Sequence, residues 1–412
     1  MDKRIRAIGG LMRRTAFVVA LTLAFAYETP TRAERARPLD AMLSDVRFDL
    51  AAWIARAAWD KLTYEFRAPH RALDEAERVR RVRAFLRSVD RADKLEAAVA
   101  ARYADPRESD PQRASAALRA ERDDLLRRLD AERPIVEAIL QEQAEAVLRE
   151  EDFGIAGQPL PPLRFRLTPL PHILIVSRRD RIERVDQREL AAELSVDAFD
   201  RIERDVDARF DVASLVTPIG GYATYPTMLP ETASLRFIVE TSLHEWTHNY
   251  LLFSWVGLNY ERDPVARTIN ETTAAIVQRE LGERVLRRFY PEETAAAELA
   301  TDARRTARAA AFDFNKEMRA TRVRVDALLA AGRVDEAEHY MNERRADFVA
   351  AGYGIRKLNQ AWFAFYGAYN DTPGGAPAAG NDPVGPAVQA LRARSPSVGA
   401  FVRAVAQLQK IP

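Results

Sequence analysis

The stretch ETSLHEWTHNYLLF, residues 240 to 253, sets His244, Glu245 and His248 inside an apolar frame. The chain has five histidines in 412 residues. Random placement of His-Glu-x-x-His in such a chain is expected roughly 0.005 times. Two histidines four apart on a helix point the same way, with Cβ atoms about 6 Å apart. Both imidazoles can then reach one zinc ion at about 2.0–2.1 Å. Glu245 can lean over the open coordination position and take a proton from bound water, whose pKa the metal lowers towards about 7.

A catalytic zinc needs a third protein ligand and an open fourth position. The extended pattern with Gly and His soon after the second histidine is absent, since Leu251 and Ser254 hold those places. His70, His172 and His339 lie far away in sequence, and His172, between apolar residues on an expected strand, reads as a core histidine. The chain has no cysteine, which excludes thiolate ligands and disulfides and leaves a carboxylate as the natural choice. Glu271, in INETTAA, comes 23 residues after His248, and Asp263, in YERDP, comes 15 after it. The spacing favours Glu271, placed at an expected helix start where a helix-loop-helix return brings it under the first helix. A helix N-terminus favours a carboxylate in any case, so ligation is not the only use for one there.

HEWTH followed by NETTA resembles the gluzincin branch of zinc metallopeptidases, the thermolysin-like arrangement, over about residues 210 to 285. The resemblance implies one Zn2+ per chain held by His244, His248 and Glu271, with Glu245 as general base. It also implies an active-site helix beside a small sheet whose edge strand binds substrate backbone. Gly220, Gly221 and Tyr222, in IGGYATYPT just upstream, would form that substrate ledge; an ordinary hairpin turn uses the same residues. The thermolysin-like pattern has an acidic residue four after the third ligand, orienting a zinc histidine. Here that position is Ala275, so another group must serve.

NQAWFAFYGAYND, near the carboxyl end, is similar to the tail of a family of predicted bacterial aminopeptidases that also carry HExxH. That similarity implies roles for Asn359, in substrate binding, and Tyr369. An oxyanion donor is needed when water attacks a carbonyl, and Tyr366 and Tyr369 are the candidates, with Tyr353 behind them. Most tyrosines in an aromatic helix are simply core.

These groups need a frame. The hydrophobic content of 47% gives ample core, and 62 Lys and Arg against 61 Asp and Glu leave no basic block to suggest nucleic acid. MDKRIRAIGGLMRR carries five positive residues, TAFVVALTLAFAY is an unbroken apolar run, and ETPTRAERARP turns polar. Residues 1–37 therefore read as an export signal or membrane anchor, and the run is short of the about 20 residues a spanning helix needs. Localisation is then periplasmic or extracellular, or on the outer face of the cytoplasmic membrane, with the N-terminus as the point of membrane association.

Residues 38–151 read as a helical region in which Met42, Leu43, Val46, Leu50, Trp53, Ile54 and Ala57 share one helix face and Pro134 marks a kink or fresh start. DFGIAGQPLPPL, 152 to 163, reads as a linker. Beyond it the expectation is one or two strands, a short helix at about 197–211, an edge strand or hairpin at 214–229, and helices from Thr232 onward. The whole is an α+β, predominantly helical chain with a zincin-like domain over 152–412 and helical hairpins on either side of its catalytic core. The expected function is zinc-dependent hydrolysis of peptide or protein substrates. The alternatives are a non-catalytic envelope protein, zinc-braced and binding a partner through its hairpins, and a zinc hydrolase of some non-peptide substrate.

Overall fold

A computed structural model describes residues 33–104, 110–154, 157–295, 312–367 and 383–409. The apolar run at Thr15 to Tyr27 and Tyr369 lie outside the described residues. Among the described residues no helix is long and apolar enough to cross a membrane.

The chain is α+β and mostly helical. Helices α1 (Ala33–Met42), α2 (Leu50–Arg67), α3 (Glu75–Ala104), α4 (Pro111–Ala114) and α5 (Ala116–Glu150) come first. Strands β1 (Phe165–Leu167), β2 (His172–Arg178) and β3 (Arg184–Leu190) precede α6 (Val196–Phe210), β4 (Val212–Thr217) and β5 (Thr227–Leu229). Then follow α7 (Leu235–Leu251), α8 (Trp255–Leu258), α9 (Pro264–Phe289), α10 (Phe314–Ala330) and α11 (Val334–Ala350). The chain ends in α12 (Gln360–Tyr366), α13 (Val384–Arg394) and α14 (Val398–Ala406).

Helices α3 and α5 pack along each other, and Pro134 sits inside α5 without ending it. An interior proline costs about 3 kcal/mol. Val136, Ile139, Leu140, Val147 and Leu148, all buried after it, offset that cost. The same core takes in α7, α9, α13 and α14, and Phe153 and Leu163 of the expected linker join it. The two helices that carry the HEWTH and NETTA segments are thus backed by the first hairpin.

Strands β3, β2 and β4 form an antiparallel sheet in that order, while β1 and β5 pair in parallel as a separate two-stranded sheet. The run HILIVSR is apolar without alternation because β2 is covered on both faces. Leu174 and Val176 meet Phe199, Ile202 and Val206 of α6. Ile173 and Ile175 meet Ala361 of α12. Helices α10 and α11 close a smaller core with Phe363.

Several boundaries differ from expectation. The first amphipathic stretch is broken: α1 stops at Met42, a 3-10 turn covers Ser44–Val46, and α2 starts at Leu50, capped by Asp49. Three strands, not one or two, occupy 165–190. Helix α7 starts at Leu235, later than the expected Thr232, and its cap is Ser234, whose Oγ accepts from Phe237 N at 3.3 Å. Helix α9 begins at Pro264, so Glu271 lies two turns inside it and not at its start. Proline at the first helical position lacks only an N–H that would be unbonded anyway, which is why the chain can enter the helix there.

Candidate metal centre

Helix α7 is buried on nearly every side. Leu243, Trp246 and Leu251 pack into the main core, and Trp246 donates its indole N–H to Pro161 O at 2.8 Å. Helix α9 packs along it, and the two approach closely at Gly282, where a Cβ would stand 2.7 Å from Glu240 Cγ. This contact sets the face of α9 that Glu271 presents to α7.

His244, His248 and Glu271 come together as a cluster whose ligating atoms lie within 4.8 Å of one another. Glu271 Oε2 is 3.3 Å from His244 Nε2 and 3.7 Å from His248 Nε2. That oxygen is buried and makes no hydrogen bond. A buried acceptor facing two imidazole nitrogens at these distances fits a shared cation. A buried carboxylate oxygen without a hydrogen bond is otherwise costly, by about 1–3 kcal/mol.

Asp263 is placed elsewhere. Its carboxylate caps α9, accepting from Val265 N at 2.8 Å and Ala266 N at 3.3 Å. The three clustered groups are therefore two histidines and Glu271, with Asp263 positioning the helix that carries Glu271.

Two supporting residues escaped the sequence reading. Asn270 Oδ1 lies 2.8 Å from His248 Nδ1, so the amide oxygen accepts from that nitrogen and leaves Nε2 to face Glu271. It occupies the outer side of the His248 ring, where the thermolysin-like pattern would have the acid that Ala275 replaces. The signal was present, one residue before Glu271 in the same segment. The second is Tyr260, whose hydroxyl donates to Glu271 Oε1 and whose ring packs edge-on to His248 with centroids 5.8 Å apart. Nothing in the local sequence singles out Tyr260; the α8 turn brings it back.

The electrostatics follow. Burial alone would raise the Glu271 carboxyl, yet the His248 and His244 rings and the Tyr260 hydroxyl outweigh it and hold the group at about 2. Burial pushes Glu245 up to about 7, with His248 pulling it back and Glu271 pushing it further. Burial, then the Glu271 charge, raises the Tyr260 hydroxyl well above its ordinary value.

Gly221 lies directly against Glu245. A Cβ at that position would stand 2.5 Å from Glu245 Oε1 and 2.8 Å from Thr241 Cγ2, so only glycine lets the chain pass. Tyr222 pairs its backbone with Met228, donating at 3.0 Å and accepting at 3.1 Å, and its hydroxyl donates to Glu189 at 2.5 Å. Gly220 borders Phe237. The segment after β4 is thus a tight return laid over the carboxylate of Glu245.

The tail residues have other partners. Tyr366 shares a hydrogen bond with Thr217 Oγ1 at 3.1 Å and packs on Trp362, over the β2–β4 face. Asn359 caps α12, accepting from Trp362 N at 3.0 Å, and its amide donates to Ser214 O at 2.9 Å, which fastens the helix to β4. Tyr353 packs against Phe314 with the rings tilted at 35°, 4.5 Å between centroids. His172 hydrogen-bonds Ala191 O at 3.2 Å and packs on Phe199, as a structural histidine does.

No protein-family model matches the chain, and no curated protein or solved structure matches it.

Proposed function

We propose that the chain is a zinc-dependent peptidase of gluzincin type, with His244, His248 and Glu271 as the ligands of one Zn2+. One observation carries the reading: among the described residues one cluster of His and carboxylate groups, His244, His248 and Glu271, offers three ligand atoms, and Glu245 adjoins His244 in the chain. Structural zinc sites are closed by four protein ligands, whereas catalytic sites keep one position open. When bound, zinc supplies Lewis acidity that polarises a carbonyl and lowers the pKa of water.

The chain's own residues would divide the remaining work. Glu245 takes a proton at its carboxylate and passes it to the leaving amine. Asn270 holds the His248 ring in the tautomer that leaves Nε2 free to ligate. Tyr260 holds Glu271 by its other carboxylate oxygen, Oε1, and leaves Oε2 to face the histidines. Gly220, Gly221 and Tyr222 offer a backbone ledge against Glu245 along which an extended peptide can lie. Residues 1–37, basic then apolar then polar, support an exported or membrane-anchored enzyme.

The test is Glu245→Gln in the full chain, with zinc content and cleavage of a mixed peptide library measured together. The expected result is unchanged zinc and loss of new termini by a factor of at least about 100, within the range a general base contributes. Equal cleavage by both proteins would end the catalytic reading. Wild-type protein that binds zinc but cuts no peptide would leave the zinc-braced or non-peptide readings.

A further inference from the structure

Arg267 lies four residues before Glu271 on α9, so the two side chains leave the same helix face about 6 Å apart. It is 6% exposed, yet its guanidinium is almost without acceptors. Its Nε is buried with no hydrogen bond, and Nη2 makes one long bond, 3.4 Å, to the Glu261 carbonyl. Among the described residues no carboxylate lies at ion-pairing distance from it. A guanidinium has five donors in a rigid fork, and burying it this poorly satisfied is costly.

Its neighbours make the shortage more pointed. Arg267 and Arg184 both sit over the ring of Tyr260, each guanidinium carbon 5.7 Å from the centroid. Arg184, at the start of β3, is answered by Glu261 at 2.9 Å. Burial first, and then the nearby Arg184 charge, bring Arg267 down to about 10, so it remains a cation at neutral pH. The same Tyr260 hydroxyl donates to Glu271. The charges of Arg184 and Glu261 also act on the Tyr222 hydroxyl, so Arg184 faces toward the Gly220–Tyr222 ledge.

We propose that Arg267, with Arg184 and the Tyr260 ring as its walls, is a carboxylate-recognition subsite next to the metal centre. A carboxylate matches the fork of Arg267 in two parallel hydrogen bonds. Its identity as part of a substrate rests on the peptidase reading. The carboxylate is either an acidic side chain near the scissile bond or the C-terminus of a peptide cut close to its end. The Arg184 charge already disfavours the Arg267 cation, so an anion bound at Arg267 relieves a cost present in the free protein.

The test uses the zinc-loaded full chain, as wild type, Arg267→Met and Arg267→Lys. Substrates are two matched peptide pairs: Glu against Gln at one position, and free C-terminal acid against C-terminal amide. Wild type should favour the carboxylate member of one pair by roughly 10–100-fold in kcat/KM, the value of a charge-assisted hydrogen bond. Arg267→Met should bring that ratio to about one, and Arg267→Lys should retain part of it, as a point charge without the fork does. Which pair responds identifies the source of the carboxylate. A wild type with no preference in either pair, or a ratio untouched in Arg267→Met, overturns the subsite. Zinc per chain should be the same in all three proteins; loss of zinc in Arg267→Met alone would make the residue a brace for Glu271 and also overturn it.

If wild type cuts no peptide, the peptidase reading fails and the subsite is tested separately. Calorimetric titration of the chelator-treated full chain with N-acetylglutamate should give binding that Arg267→Met loses. No binding by wild type would sink the subsite independently.

Discussion

Around His70 both ring nitrogens find partners inside the chain: Tyr64 Oη lies 3.0 Å from Nδ1, and Glu142 Oε1 lies 3.0 Å from Nε2. Glu142 is answered further by Arg78 at 3.2 Å and Arg71 at 3.5 Å. The site lines a polar cavity of about 500 Å³ between the first helices, yet its acids and bases answer one another. Around His244 and His248 the arrangement is different. One Nε2 of each ring faces the same buried glutamate oxygen, and that oxygen has no hydrogen bond. Both regions bury histidine against glutamate. The first is closed by protein groups alone, and the second gathers three potential ligand atoms within 4.8 Å of one another. A sequence count of nearby His and Glu would not separate them; the accounting of each lone pair does.

The largest expected effect breaks this comparison if it is mistaken. Glu271→Ala should abolish measurable zinc, while Glu142→Ala should keep about one zinc per chain. Elemental mass spectrometry on the two purified proteins checks both. Zinc lost from both would mean that the metal sits elsewhere, or that each glutamate acts only through the fold.

A smaller effect sharpens it. Asn270 touches no metal in this reading, only the far side of the His248 ring. Asn270→Ala should weaken zinc affinity by roughly 10–100-fold, the usual cost of removing a partner that orients a ligating histidine. Competition against a chromophoric chelator measures it. An affinity equal to wild type would leave the amide with a packing role.

How far the sequence could be read follows the range of each interaction. The α7 histidines were legible because a four-residue spacing on a helix fixes a shared face without tertiary information. Glu271 was legible as the favoured of two carboxylates, and the capping of α9 by Asp263 separates them. Asn270 was adjacent to Glu271, but its role depends on the rotation of α9 about its axis, which close packing at Gly282 sets. Tyr260 becomes a neighbour of the cluster through the α8 turn, a short element with no periodic signal, whereas Arg267 shares the Glu271 face of α9 at a four-residue spacing. Tyr366 and Asn359 illustrate the opposite case. Their residue types suit chemistry, but the apolar face of α12 seats them on the β2–β4 sheet, against Thr217 and Ser214. Two-faced burial of β2 was readable as an unbroken apolar run, whereas the break between α1 and α2 was not, since Met42 to Leu50 keeps helical spacing through a 3-10 turn.

The smallest effect concerns the closed site and is a matter of pH. Burial would raise the Glu142 carboxyl, but the His70 hydrogen bond and charge, with Arg78 and Arg71, outweigh it and bring it to about 2 from an ordinary 4.5. A carboxyl lowered in the folded state binds fewer protons there than in the unfolded chain. Its stabilisation is therefore fully present above about pH 4.5 and is lost as the pH falls towards 2. The side chain is 31% exposed, so solvent screening keeps the contribution modest. Thermal unfolding of wild type and Glu142→Gln across this range is the check. Wild type should be the more stable protein near neutral pH, and the gap should narrow on acidification as the carboxylate gains its proton. A gap that stays constant from neutral to acid would show that Glu142 contributes packing and not charge. The closed site would then owe its stability to shape, and its contrast with the His244, His248 and Glu271 cluster would rest on hydrogen bonds alone.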